Sequence, residues 1–93
     1  MKVRYLRRAL QHITDIHAHI ATESPRAADA VVQRLITRIE LLQQAPKQGR
    51  LGVRPGTREV IVSGTPYIVT YRISQDAIEI LTIRDGRRKP DPD

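Results

Sequence analysis

The apolar positions along this chain change period twice, and each change marks an element. Residues 1–5 alternate in polarity, which predicts a short first strand. From Leu6 the spacing turns helical. Leu10, Ile13, Ile16, His17 and Ile20 share one side of a wheel, with Arg7, Arg8, Gln11, Asp15 and Thr22 around the rest. That pattern predicts an amphipathic helix ending near Thr22. Ser24 then offers an N-cap hydroxyl, and Pro25 takes the first helical position, where a missing N–H costs nothing. Ala28, Val31, Val32, Leu35, Ile36, Ile39 and Leu42 continue as one apolar stripe until Pro46, which stops the second helix. So short a link between two helices folds them back on each other as an αα-hairpin.

Residues 45–57 hold Pro46, Pro55, Gly49, Gly52 and Gly56 together with Lys47, Arg50 and Arg54, which predicts a basic loop without regular structure. The period then falls to two. Residues 58–63 read as a strand, Gly64-Thr65-Pro66 as a turn, and 67–74 as a strand rich in β-branched and aromatic residues. Gln75-Asp76 turns the chain again into 77–84, with Ile78, Ile80, Leu81 and Ile83 as its packing residues. Links this short make an antiparallel meander, and the helical hairpin is the only available cover for its inner face. The expected class is α+β in the order β-α-α-β-β-β, with one domain over residues 1–88. The stretch from Asp85 onward adds no apolar side chain, and residues 89–93 are expected to be a disordered tail.

Composition narrows the chemistry. Trp and Phe are absent, so the core must come from Ile, Val, Leu and Ala. There is no cysteine, which excludes a disulfide framework, a thiolate metal site and a cysteine nucleophile. The N-terminal residues run into Arg7-Arg8 where a signal peptide would turn apolar, and no apolar run approaches a membrane span. A cytoplasmic protein is expected. Sixteen Lys+Arg against ten Asp+Glu give a formal charge of +6 and a pI near 10.5, which favours nucleic acid, an acidic protein or an anionic surface as partner. Thirteen of those sixteen cations are arginine, whose planar fork suits bidentate phosphate or carboxylate contacts.

Candidate catalytic patterns mostly fail on spacing. His12 and His19 share a helix face two turns apart, His17 diverges from His19, and no carboxylate completes a ligand set, so no metal and no cofactor are expected. Nothing places Ser63 or Ser74 on a strained elbow near a histidine. Gly49, Gly52 and Gly56 do not precede a helix, so they form no phosphate-binding loop. The arginines remain. Arg50, Arg54 and Arg58 come from the basic loop and the strand after it, Arg72 from the middle strand, and Arg84, Arg87 and Arg88 from the end of the last. A meander can bring such segments together on one side of the sheet.

The stretches Gly56-Thr57-Arg58-Glu59, Gly64-Thr65-Pro66-Tyr67-Ile68-Val69-Thr70-Tyr71-Arg72-Ile73 and Ile78-Glu79-Ile80-Leu81-Thr82-Ile83 resemble the RelE/ParE toxins. Arg7-Arg8-Ala9-Leu10 and Ser24-Pro25-Arg26-Ala27-Ala28 look like the ParE side of that family. The resemblance implies the toxin of a type II toxin–antitoxin pair, held as a hetero-oligomer by a cognate antitoxin. Two targets are known in the family. ParE-like members bind and inhibit DNA gyrase, whereas RelE-like members cleave mRNA on the ribosome. Where many members carry His-Gly-x-Arg after the last strand, this chain has Asp85-Gly86-Arg87-Arg88, and no Tyr follows Tyr71. Arg58 and Arg88 stand where the nuclease arginines would. A general base is missing, however, unless Asp85 serves, and neighbouring Arg84, Arg87 and Arg88 should depress its pKa. The leading expectation is gyrase binding without catalysis, with target contacts at Arg54, Arg58, Arg84, Arg87 and Arg88. The alternative is an endoribonuclease using Arg58, Asp85 and Arg88.

Overall fold

The helical hairpin forms where the caps place it. In a computed structural model, which describes residues 1–88, β1 (Lys2–Tyr5) leads into α1 (Arg7–Ala21) and α2 (Pro25–Leu41). Ser24 Oγ accepts from the Ala27 amide at 3.1 Å, with Pro25 in the first turn. At the other end of α2 the helix stops at Leu41, short of Pro46. The Gln43 and Gln44 amides tighten onto the Glu40 and Leu41 carbonyls, and a 3₁₀ turn at Pro46–Gln48 follows. The expected tail, residues 89–93, lies outside the described residues.

Four further strands complete the order: β2 (Arg50–Leu51), β3 (Arg58–Ile61), β4 (Tyr67–Ile73) and β5 (Ala77–Asp85). The sheet order is β1-β5-β4-β3-β2, so the expected antiparallel meander is present as its β3–β4–β5 portion. Two features depart from the sequence reading. First, β1 pairs in parallel with β5, Val3 opposite Ile78 and Tyr5 opposite Ile80. Second, the basic loop is not wholly irregular: Arg50 and Leu51 pair with Glu59 and Arg58. The Gly52 amide donates to the Thr57 carbonyl at 2.8 Å, and Gly56 at φ +79° makes the reversal that an L-residue resists. Pro and Gly mark the tip correctly while hiding the two residues that pair on its near side.

The helices cover the face carrying Val60, Val69, Tyr71, Ile78, Ile80 and Ile83, all buried. From α2 come Leu35 and Ile39, followed by Leu42, each with no exposure. On α1 the packing face is rotated by about one residue from the predicted stripe. Ala9 is fully buried, Ile13, Ile16 and Ile20 are half-buried, and Leu10 is half exposed. The small Ala9 side chain is the one that the tight contact accommodates. Tyr71, also fully buried, ties the core to the link after α2. Its hydroxyl donates to the Pro46 carbonyl at 2.6 Å and accepts from the Gly49 amide at 3.0 Å.

A register shift between Thr70 and Tyr71 leaves Leu81 as an extra residue on β5. β1 pairs only with residues 77–80 of β5, so beyond Ile80 the strand edge would be open. Helix α1 occupies it: the Leu6 amide donates to Ile80 O at 3.1 Å, and the Ile83 amide donates to His12 Nδ1 at 3.1 Å. Among the described residues no helix is long and apolar enough to cross a membrane.

Candidate functional site

Strand alternation sends Glu59, Thr70, Arg72, Thr82 and Arg84 to the sheet face opposite the core, because their cross-strand partners alternate with the buried rows. With α1 along the edge of β5 and the β2–β3 hairpin on the far side, this face becomes a groove of about 780 Å³. Six arginines line it, Arg8, Arg54, Arg72, Arg84, Arg87 and Arg88, against the three carboxylates Asp15, Glu59 and Asp85. A concave surface with this excess attracts anionic ligands and raises their association rate.

Carboxylates hold three of these cations, Arg72, Arg84 and Arg87. Glu59 is only 7% exposed and sits between Arg50 Nη2 at 3.3 Å and Arg84 Nη2 at 3.5 Å. Glu79, across the sheet, takes Arg72 Nε at 2.6 Å and Arg4 Nη1 at 3.5 Å. Its carboxyl is held below the ordinary 4.5, chiefly by the Arg72 hydrogen bond. Asp85 is grasped in two ways by one residue. Arg87 donates Nε to Oδ1 at 3.0 Å and Nη2 to Oδ2 at 2.7 Å, and its backbone amide adds a third bond to Oδ1 at 2.9 Å. The Arg87 side-chain bonds, then its amide, then the charges of Arg87 and Arg88 bring the Asp85 pKa from 3.8 to about 2. The turn itself is fixed, since the Arg88 amide reaches Asp85 O at 3.0 Å and the Gly86 amide reaches Pro66 O at 2.7 Å.

The structure therefore brings Arg54, Arg84, Asp85, Arg87 and Arg88 to one groove and leaves Arg58 out of its lining. Arg58 is opposite Tyr71, on the core-facing row, and its guanidinium donates to Lys47 O at 3.1 Å and Gly49 O at 2.8 Å. It secures the link between α2 and β2. The histidines also separate. His12 serves the β5 edge, while His17 Nε2 meets Asp29 at 2.8 Å on the hairpin surface. Among the described residues no group of three or more His, Cys, Asp or Glu is placed to hold a metal ion. Glu59, Thr70 and Thr82 are groove residues to which the sequence reading assigned no site role, and His12, weighed there only as a metal ligand, lines the groove as well. The only signal for the three strand residues was alternation across from a basic strand.

The family model described as ParE toxin of the type II toxin–antitoxin system, parDE, matches residues 3–90. This chain belongs to the ParE toxin family. It is 42% identical to the Sinorhizobium fredii protein Y4kP over 88 residues, covering 95% of this chain and 91% of that protein. It is 35% identical to Toxin RelE2 of Caulobacter vibrioides over 81 residues, 87% of this chain and 90% of the relative. A solved chain from the chromosomal ParDE TA system of P. aeruginosa superposes with a TM-score of 0.86 at 27% identity, over 91% of this chain and 95% of that one. The mixed sheet with its two covering helices is thus the fold of a ParE toxin.

Proposed function

We propose that this ParE-family toxin arrests growth by binding DNA gyrase, performs no catalysis of its own, and is neutralised by a cognate antitoxin with which it forms a hetero-oligomer. The observation that carries this reading is the Asp85 clamp. A carboxylate held near pKa 2 by its own neighbour is a poor general base near neutral pH, and no histidine stands in its place. The separation of Arg58 from the groove points the same way, since a nuclease reading needs Arg58, Asp85 and Arg88 to act on one phosphate. The antitoxin is assigned the basic groove, where acidic residues complement its arginine excess.

The test is supercoiling by purified DNA gyrase with and without this protein. Inhibition with trapped, cleaved DNA is the expected result, and addition of the antitoxin should reverse it. Arg87→Ala combined with Arg88→Ala should abolish growth arrest with the fold intact. Folded protein without effect on gyrase would refute the target. The name of the Caulobacter relative supports one second reading, a ribosome-dependent mRNA endonuclease using Arg58, Asp85 and Arg88. It requires codon-positioned cuts in translated mRNA at growth-arresting levels.

A further inference from the structure

Most arginines of this chain already hold a partner. Arg4 and Arg72 hold Glu79, Arg50 and Arg84 hold Glu59, and Arg87 holds Asp85. Arg34 donates to Ser63 O, Arg38 to Gln48 Oε1, and Arg58 to the Lys47 and Gly49 carbonyls. Arg8 is engaged as well. Among the described residues this leaves the guanidiniums of Arg7, Arg26, Arg54 and Arg88 without such a contact, and of these only Arg54 and Arg88 line the groove.

Their backbones, by contrast, are held. Arg54 O accepts from the Thr57 amide at 3.2 Å and from Thr57 Oγ1 at 2.6 Å, and the Arg88 amide is bonded to Asp85 O. Each presents an uncommitted fork from a fixed anchor, which lowers the entropy cost of gripping an anion. Their positions are also complementary. Arg54 precedes β3 at the end where Arg58 faces Tyr71, and Arg88 follows β5 at the end where Tyr67 faces Asp85. Four residues of β4 separate those rows, roughly 13 Å at strand rise, and the strands between add to the span. Between them lie Thr70 and Thr82, and Val53, 81% exposed, stands beside Arg54.

We infer that Arg54 and Arg88 are the specificity-determining pair of the groove, gripping the two ends of an extended acidic protein segment whose two carboxylates stand about four residues apart, on the same side of the extended chain. Arg84 and Arg87 are positioning elements, held by Glu59 and Asp85. This rests on the groove being the site of an acidic segment, as proposed above, and says which cations the segment touches.

The probe is a fluorescein-labelled synthetic peptide with a glutamate at each end of a five-residue stretch, compared with the same peptide carrying glutamine. Anisotropy titrations at two salt concentrations would use the full chain. The wild type is expected to prefer the glutamate peptide. Arg54→Gln and Arg88→Gln should each weaken it about three- to tenfold and flatten its salt dependence, with Arg54→Lys restoring part of the loss. The decisive variant is Glu79→Gln with Arg72→Gln, which removes a whole ion pair, its arginine in the groove lining, at constant net charge. It should stay within about twofold of wild type, because that pair is not a contact. Both arginines are exposed, and far-UV circular dichroism of each variant checks that the fold persists. A loss in the Glu79/Arg72 double variant equal to that of Arg54→Gln would overturn the inference while leaving the groove's assignment standing. Unchanged affinity in Arg54→Gln with Arg88→Gln would do the same. A wild type that does not distinguish the two peptides overturns that assignment, and this inference with it.

Discussion

Tyr71→Phe should destabilise this protein far more than the loss of one oxygen suggests. The ring is fully buried and Phe keeps its volume, so the packing term is nearly unchanged. What disappears is a hydroxyl that bridges the Pro46 carbonyl and the Gly49 amide, at 2.6 and 3.0 Å. The two orphaned groups fare differently. Pro46 is only half-buried and its carbonyl can turn to water, at about 0.5 kcal/mol. Gly49 is buried and held between Tyr71 and the Glu59 backbone: a Cβ placed there would meet Tyr71 Oη at 2.6 Å and Glu59 O at 2.9 Å. Its stranded N–H therefore carries a desolvation cost of about 1–3 kcal/mol. Together these give roughly 1.5–3.5 kcal/mol, or a fall in Tm of about 6–28 °C for a domain of this size. Urea and thermal denaturation of both proteins measure it, and hydrogen exchange at the Gly49 amide should accelerate in the variant. A change under about 0.5 kcal/mol with unaltered exchange at Gly49 would refute the bridging role.

Three further perturbations test other joints of the structure. Leu35→Ala empties a fully buried site between α2 and the sheet and should cost about 2–5 kcal/mol by urea denaturation; a cost below about 1 kcal/mol would mean the core closes around it. His12→Ala leaves the Ile83 amide on the β5 edge without its acceptor and should lower stability by about 1–2 kcal/mol, with faster exchange at that amide as the specific sign. Asp85 has a pKa lowered in the folded chain from 3.8 to about 2, so its contribution to stability is complete above roughly pH 4 and is lost as pH falls toward 2. Asp85→Asn should lower the urea midpoint at pH 7 and flatten its decline over that acid window, and a variant with the wild-type pH profile would remove the clamp from the stability balance.

The parts of this fold that were legible in the sequence are those whose signals are local. Ser24-Pro25 and the Ala28-to-Leu42 stripe locate α2 because capping and periodicity act within one helix. The β3–β4–β5 meander follows from alternation and short turns. The parallel pairing of β1 with β5 joins residues about 75 positions apart, and no local pattern encodes which edge a four-residue strand will take. On α1, a hydrophobicity wheel favours Leu10 for its size, but the tight approach of the helix selects Ala9. The candidate site was half legible. Depression of the Asp85 pKa was expected from three arginines, and Arg87 and Arg88 supply it, whereas Arg84 instead reaches Glu59. Adjacent Arg58 and Glu59 necessarily project to opposite faces of β3, and that rule alone would have taken Arg58 out of the groove.

The formal charge of +6 is consequently a poor measure of what this surface offers a partner. Long-range attraction depends on the sum, and every arginine adds to it equally. Short-range recognition depends on which forks are uncommitted, because displacing Arg87 from Asp85 or Arg84 from Glu59 strands a carboxylate and returns part of the gain. Glu59 is the sharper case. Nearly buried, it joins Arg50 on the edge strand to Arg84 on the groove floor, so any ligand that drew Arg84 away would leave this carboxylate with Arg50 alone. A partner that leaves these pairs intact and engages the cations at the two ends of the groove avoids both costs. An acidic segment with widely spaced carboxylates meets that condition, and a compact cluster of negative charge does not.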